Sequence, residues 1–281
     1  MKIGVSAFAW TTKLRESHFD LFPALREQGL EGFEIPLFQP KDLAVMASGL
    51  RRALEANGLE GTVCAILPEG INPISPDAAT RKRSLNHLIE CVQTSAEVGA
   101  QLLGGPVFAP IGYLPGRRRT QEEWKWAVEC FQALGKTLDA HQMTLSIEPV
   151  NRSETFFLNA AAEAAQLCDA IGHPRIGVTI DTFHANIEEK NIAGAVASLG
   201  KHLRHIHASE NDRGLLGSGH VDYPAIVAAL RRMDYNGYLM IEGFGFSSDE
   251  PESLGALWGD LLVSPEDIAF KGAEYLRTLL R

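Results

Sequence analysis

Thr144-Leu145-Ser146-Ile147-Glu148 is an apolar run of strand length that ends on a carboxylate. The same grammar returns at Ile176-Gly177-Val178-Thr179-Ile180-Asp181, Leu203-Arg204-His205-Ile206-His207 and Tyr238-Leu239-Met240-Ile241-Glu242: an isoleucine, then an ionisable residue. Successive ionisable residues are separated by 33, 26 and 35 positions, about one strand-plus-helix unit per step. Strand side chains alternate between faces, so Ile147, Ile180, Ile206 and Ile241 share one face. Glu148, Asp181, His207 and Glu242 share the other, together with Ser146, Thr179, His205 and Met240. In a closed parallel barrel the isoleucine face meets surrounding helices and the mixed face fills the interior, with the C-terminal strand ends carrying the chemistry.

Outward from these segments, further strand-like runs lie near 3–9, 32–38, 61–67 and 101–108. Helical candidates, several with apolar residues at three- and four-residue spacing, cover 18–28, 42–57, 76–98, 121–141, 159–171, 190–200, 223–233 and 265–280. Thr120-Gln121-Glu122-Glu123 has the form of an N-terminal capping box ahead of Trp124, Ala127 and Phe131. Gly29, Gly58 and Gly172 stand where helices should stop. Eight strand–helix units predict an α/β fold, a (β/α)8 TIM barrel, as a single domain over residues 1–281. An open, doubly wound sheet is the competitor, but no Gly-x-Gly-x-x-Gly turn follows the first strand, so dinucleotide binding has no support.

A hydrophobic content of 45% with 22% charged residues is ordinary for a globular chain. A net charge of −9 disfavours a nucleic-acid partner, which would draw its affinity from clustered Lys and Arg. The basic run Arg117-Arg118-Arg119 reads as a solvated loop before a helix. There is no basic segment followed by an apolar one at the start and no 18-residue apolar span, so a soluble cytoplasmic protein without a membrane partner is expected. Cys64, Cys91, Cys130 and Cys168 form no Cys-x-x-Cys pair and read as buried free thiols.

A lone Glu, Asp or His at a strand end is commonly a capping or ion-pair residue, but four in one register converge like the ligands of a divalent metal ion. Two Glu, one Asp and one His suit an octahedral Mn²⁺, Mg²⁺ or Co²⁺ site with positions open to water or substrate, and zinc stays open. The loops after these strands, Glu148-Pro149-Val150-Asn151-Arg152-Ser153-Glu154, Asp181-Thr182-Phe183-His184-Ala185-Asn186-Ile187-Glu188-Glu189 and His207-Ala208-Ser209-Glu210-Asn211-Asp212-Arg213-Gly214, resemble those of the ketose 3-epimerases. That group (D-tagatose, D-psicose and L-ribulose 3-epimerases) belongs to the xylose-isomerase-like barrel superfamily. The likeness is specific over roughly 144–245 and rests on unit spacing alone before that.

The resemblance implies that Glu148, Asp181, His207 and Glu242 bind one divalent ion, most simply Mn²⁺, and that Glu148 and Glu242 also serve as the acid/base pair. It further implies that Glu154, His184 and Arg213 hold the carbonyl end of a small sugar, and that the protein is a homo-oligomer, a dimer or tetramer. The chemistry is coherent, because inverting a carbon beside a ketone removes a proton from one face and returns one to the other. Taken singly, Arg213 reads equally as a loop cation, His184 as a helix-start residue and Glu154 as a partner of Arg152. His205, one layer deeper, reads as a core or supporting histidine, and Glu210 as a partner that orients Arg213. Phe8, Trp10, Cys64, Phe108 and Tyr113 lie near other strand ends, as pocket walls or as core. The glycine-rich 214–222 segment lacks the Lys of a phosphate cradle and reads as a loop into the next helix.

Gly243 stands where many of these epimerases have Pro or Ser, and Gly105-Pro106-Val107-Phe108 lacks their commoner polar residues, so the ketose is open. The rivals are another sugar isomerase or an inosose-type dehydratase on the same scaffold, a multi-metal phosphodiesterase, and a sugar-binding barrel without activity.

Overall fold

A computed structural model of the chain describes residues 1–244 and 263–281. Among these, eight parallel strands close into a barrel in sequence order: β1 (Lys2–Ser6), β2 (Gly32–Leu37), β3 (Glu60–Ala65), β4 (Leu102–Gly105), β5 (Thr144–Ile147), β6 (Ile176–Asp181), β7 (Leu203–Ala208) and β8 (Tyr238–Ile241), with β8 pairing back onto β1. The helices of the outer layer are α1 (Phe22–Glu27), α2 (Pro40–Ala44), α3 (Ala47–Ala56), α4 (Ala78–Glu97), α5 (Gln121–His141), α6 (Ala161–Ile171), α7 (Thr182–Glu188), α8 (Ile192–Leu199), α9 (Tyr223–Arg232) and α10 (Pro265–Leu280). The expected (β/α)8 architecture is the observed one.

The isoleucine face turns outward as the alternation requires. Ile147, Ile180, Ile206 and Ile241 are buried in one continuous core with Leu134 and Leu138 of α5, Leu167 of α6 and Ile268 of α10. Each such side chain taken from water stabilises the fold by about 1.5–3 kcal/mol. The opposite face fills the barrel. Ser146 and Thr179 bond through their hydroxyls at 2.6 Å, and Met240 lies over Gly4, where a Cβ would come within 2.8 Å of its sulfur.

Local chemistry sets the ends of the elements. The capping box is formed: Thr120 Oγ1 accepts from the Glu123 amide at 3.2 Å, and Glu123 Oε2 accepts from the Thr120 amide at 2.7 Å. Gly172 ends α6 with φ 69°, a left-handed turn that favours glycine. The run expected at 3–9 stops at Ser6, whose hydroxyl accepts from the Phe8 amide and starts a 3-10 turn over Ala7–Ala9. That expected at 101–108 stops at Gly105, where φ is 118° and a side chain would collide with the Ala65 carbonyl. The helix expected over 42–57 is two helices, α2 and α3. Leu43, Ala47, Leu50 and Leu54 are buried on both sides of the break, so the apolar periodicity runs through a join that leaves Val45 exposed. Helix α7 was not among the expected helices. All four cysteines are free and buried, and no described helix is long and apolar enough to cross a membrane.

Candidate functional site

Strands β5 to β8 deliver four buried ionisable side chains to one end of the barrel. Glu148 and Glu242 sit just past β5 and β8, where their amides still bond the neighbouring strands, to Gly105 O at 3.1 Å and Ala208 O at 3.0 Å. Asp181 and His207 are paired in register across β6 and β7. One ligand-type atom from each of Glu148, Asp181, His207 and Glu242 lies within 4.8 Å of all the others. His207 Nδ1 stands between the two glutamates, 3.1 Å from Glu148 Oε1 and 3.6 Å from Glu242 Oε2.

Three carboxylates packed this closely away from water are costly unless positive charge joins them. Burial pushes the Glu242 carboxyl above its ordinary range; His207 and Arg213 pull it back, but burial, with smaller help from Asp181 and Glu148, outweighs them. Burial acts on Asp181 too, but there the neighbouring Arg213, with His184 and His207, outweighs it and the carboxyl is held low. For His207 burial favours the neutral ring, yet Glu34, Glu148 and Glu242 outweigh it and raise its proton affinity. Carboxylate oxygens with one imidazole nitrogen are the donors that suit Mg²⁺, Mn²⁺ or Co²⁺, so these residues fit a divalent ion.

Arg213 enters from the β7–α9 loop. Its Nη1 donates to Asp181 Oδ2 and Glu242 Oε2, both at 2.6 Å, and to Ser209 Oγ at 2.8 Å, while the guanidinium lies over the Phe183 and Phe244 rings at 4.2 and 5.0 Å. Its backbone is left-handed, φ 62°, a conformation that costs a non-glycine residue about 1 kcal/mol or more. Two bonds hold it there, Arg213 N to Glu210 O at 3.0 Å and Phe244 N to Arg213 O at 3.3 Å. A side chain at Gly243 would come within 2.7 Å of that same carbonyl. The glycine thus admits the arginine loop.

His184, in the first turns of α7, brings Nε2 to 3.2 Å from Arg213 Nη2, and Asn151 Nδ2 lies 2.9 Å from its Nδ1. Burial lowers this imidazole to about 3, so it is a neutral hydrogen-bonding group. Glu154 accepts from Asn151 Nδ2 at 2.8 Å and lies 3.9 Å from His184 Nδ1; burial raises its carboxyl. Glu148, Glu154, His184, Arg213 and Glu242 line one cavity, whose other walls include Phe8, Cys64, Ile66, Pro106 and Phe244. Of the other wall candidates, Phe108 packs on Phe157, Tyr113 on Phe156, and Trp10 donates to Glu266.

Several pairings differ from the sequence reading. Glu210 does not orient Arg213 through its side chain. Its carboxylate accepts from the amides of Gly217 and Val221, both at 2.9 Å, and so takes up donors of the glycine-rich loop. The guanidinium goes instead to the buried acids, because the left-handed turn aims it inward. Arg152 pairs with Glu188 at 2.8 Å, which leaves Glu154 to the cavity. Arg117 bonds Glu123 and Arg119 bonds Glu163, so two of the three basic loop residues brace helices rather than only face solvent. Glu34 on β2 went unread. It is fully buried against His205 and His207, and its signal was present: a glutamate inside the apolar run Phe33-Glu34-Ile35.

The family model described as "Xylose isomerase-like TIM barrel" matches residues 22–279. The chain is 31% identical over 277 residues to a probable ketose 3-epimerase of Synechocystis sp., covering 99% of this chain and 96% of that protein. It is 30% identical over 264 residues to an L-ribulose 3-epimerase of Mesorhizobium japonicum, covering 92% and 88%. Among solved structures, the D-allulose 3-epimerase from Methylomonas sp. superposes with a TM-score of 0.91 at 26% identity, covering 99% of this chain and 98% of that one.

Proposed function

Since the chain belongs to the xylose isomerase-like TIM barrel family, with ketose 3-epimerases as relatives along nearly its whole length, we propose that it is a metal-dependent ketose 3-epimerase. The observation that carries this reading is the placement of Glu148 and Glu242. They come from strands that are not neighbours in the barrel, with His207 Nδ1 between them, and both face the cavity. A sugar carbon lying between them meets a carboxylate on each side. Either takes the C3 proton as a carboxylate, and the other, carrying a proton, returns one to the opposite face.

Glu148, Asp181, His207 and Glu242 would hold the divalent ion, Mn²⁺ being the first candidate, and its charge would stabilise the negative charge that develops on the sugar oxygens. Glu154, His184 and Arg213 bind and orient the carbonyl end. Neutral His184 hydrogen-bonds a sugar oxygen without adding charge, and Arg213 supplies fixed positive charge on the same side. The aromatic walls exclude water from the carbon that loses its proton. A dimer or tetramer belongs to the same proposal, and sedimentation measures it.

Incubation in D₂O with D-tagatose, D-fructose, D-psicose and L-ribulose, with and without Mn²⁺, tests the reaction. Metal-dependent deuterium at C3 with a C3-epimeric product is expected. Label at C1 or C2 alone would instead mark an aldose–ketose isomerase, and loss of water from the sugar would mark a dehydratase.

A further inference from the structure

Glu34 is fully buried on β2, and the chemistry above makes no use of it. Its carboxylate lies against two imidazoles of β7. Oε2 accepts from Thr62 Oγ1 at 3.2 Å and stands 3.1 Å from His205 Nε2 and 3.2 Å from His207 Nε2. Oε1 lies 3.1 Å from the same His207 nitrogen. With a hydroxyl and two ring nitrogens converging on one oxygen, the carboxylate is the acceptor and both rings present Nε2–H to it. The two rings meet edge to face, 5.1 Å between centroids, so a single carboxylate sets the angle of both. His207 is left with Nδ1, the atom that faces Glu148 and Glu242.

We propose that Glu34 is the positioning residue of the metal centre: by accepting a hydrogen bond from Nε2–H of His207 it fixes the ring's tautomer and orientation and leaves Nδ1 as the ligand atom. The inference rests on the reading of His207 as a ligand in the proposed epimerase. Carboxylates that hold the second nitrogen of a ligand imidazole act in this way, and their loss weakens metal binding. Glu34, Cys64, His207 and Glu242 also have ligand-type atoms within 4.8 Å of one another, a softer set in which Glu34 would itself be a ligand. Three donors already meet on Oε2, while Oε1 has no hydrogen-bond partner and lies 3.1 Å from the same His207 Nε2; the cobalt spectra and the His207 tautomer separate the two arrangements.

The test uses full-length protein stripped of metal and titrated with Mn²⁺ and Co²⁺, comparing wild type with Glu34→Gln and Glu34→Asp. Both variants are expected to bind about 10–100-fold more weakly at temperatures where melting curves show them folded. Cobalt spectra should stay free of a thiolate charge-transfer band. Nitrogen-15 histidine spectra of the Mg²⁺-loaded wild type should show the His207 proton on Nε2, a readout that needs no variant to fold. Unchanged affinity in a folded variant, a proton on Nδ1, or a thiolate band lost in Cys64→Ser would each overturn the inference. Wild-type metal affinity and C3 exchange report on the epimerase reading itself, whereas the ratio of variant to wild type reports on Glu34.

Discussion

Glu148 and Glu242 line the same cavity yet differ in what else touches them. Glu242 receives Arg213 Nη1 at 2.6 Å, and Glu148 faces His207 Nδ1 at 3.1 Å. Replacing either by Gln keeps the shape and a hydrogen-bonding oxygen but removes the group that accepts a proton. Glu148→Gln and Glu242→Gln are therefore expected to lower kcat by about 10²–10⁴-fold while sugar affinity, measured calorimetrically on metal-loaded protein, changes far less. A variant that epimerises at close to the wild-type rate would remove that residue from the proton-transfer pair. Alternation along β5 to β8 made these residues legible in the sequence, because one register decides what faces inward. Arg213 and Glu154 drew attention only through their loops. Their true partners follow from where the loops fold, which no local pattern encodes.

Helix α5 illustrates the element scale. Thr120, Glu123 and Arg117 form its entry: the capping box satisfies two amides that the helix leaves open, and Arg117 Nη2 bonds Glu123 Oε1 at 2.7 Å. Thr120→Ala should cost about 1 kcal/mol in urea unfolding. The Arg117 hydrogen bonds, helped by the Thr120 amide, outweigh burial and hold the Glu123 carboxyl below its ordinary value of 4.5. A carboxyl depressed in the folded state binds its proton first in the unfolded chain. Its contribution to stability is thus complete above pH 4.5 and is lost as pH falls toward the lower folded value. In urea unfolding across that window the advantage of wild type over Glu123→Gln should shrink with acid; an advantage independent of pH would contradict the pairing. The box was readable from four consecutive residues. The break between α2 and α3 was not, because the same apolar face continues through it.

For the molecule as a whole, the barrel gathers buried acids from four strands and offers a cation the means to join them. An ion that binds only the folded state stabilises it by mass action, about 2.7 kcal/mol at a hundredfold excess over Kd. For a chain of 281 residues that is roughly 5 °C in Tm. Calorimetry of chelator-treated protein should show such a rise on adding Mn²⁺, and no rise with saturating Mn²⁺, Mg²⁺ or Co²⁺ would count against the metal centre. The sequence by itself determined the eight-unit plan, the inward face of β5 to β8 and the loops that carry the epimerase resemblance, since alternation, periodicity and capping act over a few residues. Only the tertiary structure decided that Glu34 reaches His205 and His207, more than 170 positions away, and that Arg213 turns onto Asp181 and Glu242. The physical reason is closure. The strand period sets which face a side chain takes, whereas ring closure and loop conformation set which inward residues meet.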